Sequence, residues 1–481
     1  MKKVLSIIVS IIIIISVLTI SFFLPIKTTE IATIRQNNVL PRLYFEGNVL
    51  DLKTKADEEK VIVKYESDKI NFITYASIKL QGTSSLNYAK KNYTVKFYKD
   101  EMHEEKNKID LGWGEQNKYC LKANWIDKTH ARNIVTAKIT SSIQKKYNLL
   151  ANTPNYGEID GYPVEIYLNN EYLGLYTMNI PKDTWMFEMD EDNPNHLVFS
   201  ASGWSDTNLF KDETDNFEDW EVEVGEESDQ ALENINRLLN FVNNSSYEEF
   251  KNTFEQYLNL DSVLNYYSIL QYAELADNIA KNMLISTYDG KIWYVTLYDL
   301  DTSWGTNWNG QETLEYDIIM DTNSSKLFSR VKDNFPNELA DRYFELRKEY
   351  LNEENVMKEF YQFTNLISKK SYKKDADKWG QIPGRDIKQI EEFLKKRTPI
   401  IDEYFTNIYT VKQDVKIEYK KNKNTIIATV KSNRNDIIIE EDSYTFTENG
   451  EHIFFYDDYL GNHKYVIAKV TDIIKPKKTF K

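Results

Sequence analysis

The chain has 481 residues, 41% of them apolar and 28% charged, enough to fold around a real core in about two to four domains. With 16 Gly and 10 Pro, collagen-like and low-complexity architectures are excluded. A net charge of −15 lacks the electrostatic footprint of a nucleic-acid binder, the single Cys120 excludes an internal disulfide, and five scattered His argue against zinc, which leaves a hard ion on oxygen ligands as the metal to expect.

The first segment, MKKVLSIIVSIIIIISVLTISFFLPIK, carries no charge from Val4 to Leu24. About 20 such residues span the ~30 Å hydrocarbon core, and Lys2 and Lys3 favour a cytoplasmic N-terminus. Phe22, Phe23, Leu24 and Pro25 stand where a small-residue cleavage site belongs. An uncleaved signal anchor over residues 1–27 is preferred to a cleaved signal peptide. Either reading places the remainder outside the membrane, anchored or secreted. Residues 28–41 read as a linker.

Strand-like runs follow: KVIVKYES, YASIKL, NYTVKFY and KYCLKANW, β-branched and aromatic between polar turns. The stretch from His130 to Tyr147 reads as helix, and PVEIYLNNEYLGLYTM as a hairpin turning at Asn169-Asn170. From Asp183 to Asp229 acidic residues dominate and Lys211 is the lone Lys or Arg. That segment is either a solvated face or a docking surface for a basic partner. From Gln230 to about Ala276 the apolar spacing is helical. A strand pair, NMLISTYDGKIWYVTLYDLD, turns at Asp289-Gly290, and a second helical block runs from Pro336 to Phe405. Strands first and helices later predict an α+β, two-lobed architecture. The last 70 or so residues alternate with regular turns, which predicts a small all-β sandwich over residues 409–475.

Three segments carry candidate chemistry. In LQGTSSLNYAKKNYTVKF, a turn of Gly82, Thr83, Ser84 and Ser85 precedes Lys90 and Lys91. Backbone amides and hydroxyls of such a turn can cradle phosphate oxygens, and a strand-borne Lys can neutralise them. An ordinary hairpin with a solvated Lys pair fits the same residues. In ELADNIAKN, Asp277 precedes Asn282 by five positions. In kinase-type phosphoryl transfer a loop Asp accepts the proton of the attacking hydroxyl, and an Asn five positions on binds metal. In WYVTLYDLDTSWG, strand period places Asp299 and Asp301 on one face. Unaccompanied, two such carboxylates raise each other's pKa; Mg²⁺ bridging phosphate oxygens relieves that. A strand-terminal turn with solvated Asp side chains is the plain alternative.

Together, QGTSSLNYAKKNYTVKF, LKANWIDKTHARN, VEIYLNNEYLGLY, DNIAKN and YDLDTSWG resemble the spore-coat CotH kinase family, from about residue 42 to 405, which implies a kinase-like domain over residues 42–408. The resemblance implies a two-lobed atypical protein-kinase-like fold. It implies use of ATP with Mg²⁺ or Mn²⁺ to phosphorylate Ser or Thr of spore-coat or envelope proteins, for which basic, Ser-rich chains are candidates. By position, Asp277 is then the catalytic residue. Asn282 and Asp299 hold metal with Asp301 assisting, and Lys90, in preference to Lys91, contacts phosphate behind the Gly82–Ser85 turn. Arg132 falls where the family has an Arg; a phosphate contact and a structural ion pair are equally open. One departure stands out: Ile180 occupies the place of a Glu in many relatives, which raises the competing reading of a catalytically weak or inactive assembly protein. A carbohydrate-binding role, raised by 14% aromatic residues including nine Trp, is the weaker third reading, because most of these fall within apolar periodic segments. SYTFTENGEHIFFYDDYLGN resembles the closing hairpins of bacterial immunoglobulin-like modules.

Overall fold

The computed structural model describes residues 39–313, 315–381, 384, 387–409, 415–432, 437–457 and 463–473. Four strands open it: β1 (Arg42–Glu46), β2 (Glu58–Glu66), β3 (Asn71–Gln81) and β4 (Asn92–Tyr98). After a small hairpin, β5 (Ile109–Asp110) and β6 (Glu115–Gln116), come β7 (Lys118–Lys122), β8 (Gly161–Leu168) and β9 (Glu171–Asn179). Seven of these close into a barrel in the order β1-β2-β3-β4-β7-β9-β8. Alternation sets the inner face: Val61, Val63 and Tyr65 of β2 and Tyr93, Val95 and Phe97 of β4 are buried, while Lys60 and Lys64 point out. The β8–β9 turn uses Asn169 and Asn170, both with positive φ, as a two-residue hairpin of matching twist requires. Parallel pairing of β1 with β8 shuts the barrel and leaves it no free edge.

Helix α1 (Arg132–Lys146) lies between β7 and β8 in the chain. Past the barrel come α2 (Thr184–Phe187), β10 (Leu197–Ser202), β11 (Trp220–Val224), α3 (Asp229–Asn244), α4 (Tyr247–Thr253), α5 (Leu260–Ala273), β12 (Lys281–Thr287) and β13 (Trp293–Leu297). These strands form one sheet, β11-β10-β12-β13. Helices α6 (Lys326–Asn334), α7 (Pro336–Glu349), α8 (Glu353–Leu366), α9 (Lys369–Trp379) and α10 (Lys388–Ile408) complete this half around a core that includes Trp220, Trp293, Trp304, Tyr267 and Phe405.

The expected two-lobed, protein-kinase-like α+β fold is therefore corrected to a mixed α/β fold with a closed barrel. Helix α1 interrupts the strand run, and the β12–β13 hairpin interrupts the helical one to join strands some 60 residues or more upstream. Element order does not reveal which strands share a sheet; that is decided by long-range pairing. The expected single-pass anchoring is corrected as well: no helix among the described residues is long and apolar enough to cross a membrane. The Val4–Leu24 stretch lies outside the described residues.

Near the C-terminus, β14 (Val415–Lys421), β15 (Ile426–Ser432), β16 (Ile438–Ile439), β17 (Ser443–Phe446), β18 (Gly450–Asp457) and β19 (His463–Val470) form two three-stranded sheets, β14-β15-β17 and β16-β18-β19. Their shared core includes Val430, Phe446, Phe454 and Val470. Tyr465 of β19 packs on Phe344 of α7, with ring centroids 4.0 Å apart.

Candidate active site

The β12–β13 hairpin pairs from Thr287↔Trp293 up to Met283↔Leu297. At its open end the Tyr298 amide donates to the Asn282 carbonyl at 3.0 Å. There both chains turn sharply, with Asn282 at φ 58° and Asp299 at φ 56°. This left-handed region is one that Asn and Asp tolerate better than other side chains. Helix α5 ends at Glu274, also left-handed, and one turn of 3₁₀ helix from Asp277 to Ile279 brings the chain into β12. Past Asp299, the Leu300 amide donates to Asn133 Oδ1 on α1 at 3.0 Å, and the Trp304 indole to Thr136 Oγ1 at 2.8 Å. Local turns and these ties place Asp277, Asn282, Asp299 and Asp301 on one cavity of about 940 Å³.

The opposite wall comes from the barrel. Gly82 follows β3 at φ 96°, and a Cβ there would fall 2.0 Å from Ser85 Oγ, so the tight turn requires glycine. Thr83, Ser84 and Ser85 line the same cavity, and Lys55 Nζ donates to Thr83 Oγ1 at 3.1 Å.

The two adjacent lysines behave differently. Lys90 borders the cavity but is 1% exposed, with Nζ 2.9 Å from Asp375 of α9 and also donating to the Leu175 carbonyl. Burial pulls its pKa down to about 8 against the charge of Asp375. Burial alone would raise Asp375, yet the His130 hydrogen bond and the Lys90 charge hold it at about 2. The Lys91 ammonium closes its own turn on the carbonyls of Leu86 and Tyr88 and does not line the cavity. Arg132 does not line it either. Its guanidinium pairs with Asp127 at 2.6 Å and donates to the Ser303 carbonyl at 3.0 Å and to Gln389 Oε1 at 2.6 Å. It ties α1 to the segment after Asp301 and to α10.

Sequence reasoning missed four cations of this cavity: Lys55, Lys122, Lys182 and Lys281. Lys122 ends β7 with Nζ 3.8 Å from Asp299 Oδ1. Lys182 pairs with Glu223 and donates to Ser200 Oγ at 3.0 Å. Both ammonium groups lie over the Tyr298 ring, 5.6 Å and 4.9 Å from its centroid. Burial opposes the charge on Lys122, but Tyr298 and Asp299 raise its pKa overall. The one available signal was strand period, which sends Lys122 of KYCLK to the same face as Cys120 and Lys118. The Lys182–Glu223 pair has no local signal.

Asp301 has its pKa pushed well above the carboxylate range, first by burial, then by the Asp299 charge, with Asp127 and Asp277 adding to it and Lys122 opposing. A cation beside these oxygens would relieve that repulsion. Among the described residues no group of three or more His, Cys, Asp and Glu could hold a metal ion. Two carboxylates and the Asn282 amide nevertheless suit Mg²⁺ or Mn²⁺, which complete their coordination with phosphate oxygens and water. The hydroxyl turn, the lysines and the cavity volume suit a nucleotide. At the rim stand Trp204 and Trp308, 53% and 73% exposed.

The family model described as CotH kinase protein matches residues 78–401. The chain belongs to the CotH kinase family. The match runs from β3 into α10 and takes in both walls of the cavity. None of the curated proteins compared with the chain matches it. The match ends before β14, so the immunoglobulin-like character of the C-terminal sheets rests on sequence resemblance alone. Ile180, where the resemblance leads one to expect a Glu, is 1% exposed within the main core and so takes a packing role.

Proposed function

We propose that this CotH-family chain is a protein kinase that moves the γ-phosphoryl group of ATP to a Ser or Thr hydroxyl. The observation that carries this reading is the convergence of Asp277, Asn282, Asp299 and Asp301 on a cavity whose other wall is a hydroxyl-rich turn. Asp277 accepts the hydroxyl proton as the new O–P bond forms, and ADP leaves. Asn282, Asp299 and Asp301 would hold the divalent cation, whose charge offsets that of the phosphates. Lys122, beside Asp299 and open to the cavity, takes the phosphate-neutralising role first given to Lys90, whose ammonium is committed to Asp375. The Gly82–Ser85 turn lies along the phosphate chain, and Arg132 supports the site as a structural ion pair. Little covalent chemistry is asked of the protein, so positioning and charge do most of the work.

The acceptor in this reading is a basic, Ser-rich coat or envelope protein. Glu221 and Glu223 carry the acidic segment into the cavity wall, and a neighbouring cavity of about 720 Å³ shares Glu223 and has Asp183, Glu188, Glu191, Asp192 and Glu226 on one side, with Lys96, Lys106, Lys108 and Lys118 also lining it. Complementary charge there raises encounter rates.

Incubation with γ-labelled ATP and Mg²⁺ or Mn²⁺, beside Asp277→Asn, tests the assignment. Label transfer by the wild type alone supports it; transfer retained in the variant removes Asp277 from the role. The second reading is a non-catalytic assembly protein, favoured by Ile180 in the core and by the committed Lys90. It predicts no label and no nucleotide binding in either protein.

A further inference from the structure

Behind the open end of the β12–β13 hairpin, and outside the cavity lining, sits the fully buried Asn278. Its Nδ2 donates twice, to the Asn282 carbonyl at 3.2 Å and to the Tyr298 carbonyl at 3.0 Å. Its own carbonyl accepts the Tyr266 hydroxyl at 2.6 Å, which fixes the turn against α5. Its Oδ1 is buried without a protein partner. An unpaired acceptor is costly to bury, so the two donations are what the side chain supplies. An apolar residue would take this donor from the Tyr298 carbonyl and leave the Asn282 carbonyl with the Tyr298 amide alone, and Asp would set a carboxylate against both.

The two carbonyls belong to Asn282 itself and to the residue before Asp299. Asn282 and Asp299 are the two left-handed residues at the hairpin's open end, and non-glycine residues relax from that region unless their surroundings hold them. We propose that Asn278 is a positioning residue: one buried amide spans the two chains at the hairpin end and holds Asn282 and Asp299 in the conformations that present their oxygens to the cation. This rests on the reading of the cavity as a nucleotide and metal site, and adds to it a residue that touches neither.

The test uses the full chain, with Mn²⁺ binding followed by electron paramagnetic resonance in the presence of a non-hydrolysable ATP analogue. Analogue binding in EDTA, circular dichroism and Tm are measured alongside. Asn278→Asp and Asn278→Ala should weaken Mn²⁺ binding by about tenfold or more, the scale on which residues behind metal ligands act. Analogue affinity in EDTA should stay within about twofold, a separation that general loosening of the fold would not give. Tyr266→Phe, which keeps the ring, should weaken Mn²⁺ binding in the same direction by a smaller factor. Folded Asn278 variants that bind Mn²⁺ like the wild type overturn the proposal. If they fail to fold, unchanged Mn²⁺ affinity in Tyr266→Phe overturns it. A wild type that binds neither Mn²⁺ nor the analogue overturns the metal–nucleotide reading itself, a different result from wild-type binding that the variants share.

Discussion

Lys90 and Lys122 are both buried lysines bordering one cavity, and they answer to different partners. Lys122→Ala removes a cation from beside Asp299 and should weaken nucleotide binding by about tenfold, measured by calorimetry, with little loss of Tm. Lys90→Ala leaves the Asp375 carboxylate buried without its cation and should cost about 3–5 kcal/mol in denaturant unfolding. Equal effects on binding would return the phosphate role to Lys90. The acidic residues of the site were legible in the sequence because DNIAKN and YDLDTSWG are short and their turns local. The lysines were not. Lys90 and Lys91 look alike until Asp375, 285 residues away, takes one of them.

Glu274, at the end of α5, gives a pH signature. Burial pushes its pKa up to about 7, outweighing the charge of Arg397 and a hydrogen bond from Thr313. The folded state therefore holds a proton that the unfolded chain releases near pH 4.3. Its contribution to stability is complete below that pH and is lost as pH rises toward 7, so stability falls across the window. Glu274→Gln should flatten that fall and gain about 1–2 kcal/mol at pH 8, read from urea midpoints at several pH values. An unchanged pH profile would contradict the assignment.

At the level of elements, α9 acts as a clamp on the barrel. Besides Asp375, it sends the Tyr372 hydroxyl to the Thr129 carbonyl at 2.7 Å and the Trp379 indole to the Leu173 carbonyl at 3.0 Å. The helix stops at Gly380, left-handed at φ 66° with open space where a Cβ would stand. Gly380→Ala therefore meets only the backbone cost and should destabilise by about 1 kcal/mol, seen as a small drop in Tm without altered circular dichroism. Most barrel strands, the helical blocks and both hairpin turns were legible because their hydrophobic periods and turn residues are local; β10 and β11 were not, since they lie in the segment read only as an acidic face. Barrel closure was not, since it depends on β1 meeting β8 in parallel, more than 100 residues on. No period in either strand specifies that partner.

Over the whole molecule, the C-terminal sheets are joined to the helical half through a compact apolar contact. Tyr465 is 4% exposed, packs at a tilt against Phe344 and Tyr409, and donates to the Ala340 carbonyl at 3.4 Å. Tyr465→Ala should remove about 3 kcal/mol from this junction. Calorimetry should then show the C-terminal sheets melting ahead of the rest, with one joint transition expected of the wild type; a single unsplit transition in the variant would show that the contact does not couple them.

The bond between Lys90 and Asp375 also imposes an order of assembly. Every barrel strand is synthesised before α9, because β9 ends at Asn179 and α9 begins at Lys369. A nascent chain that has finished its barrel therefore carries Lys90 before the counter-ion of its ammonium is made. Removing a charge from water unpaired is expensive, so Lys90 is expected to bury its ammonium only when the far end of the family domain emerges and docks. A chain stopped before α9 would leave that lysine without its partner.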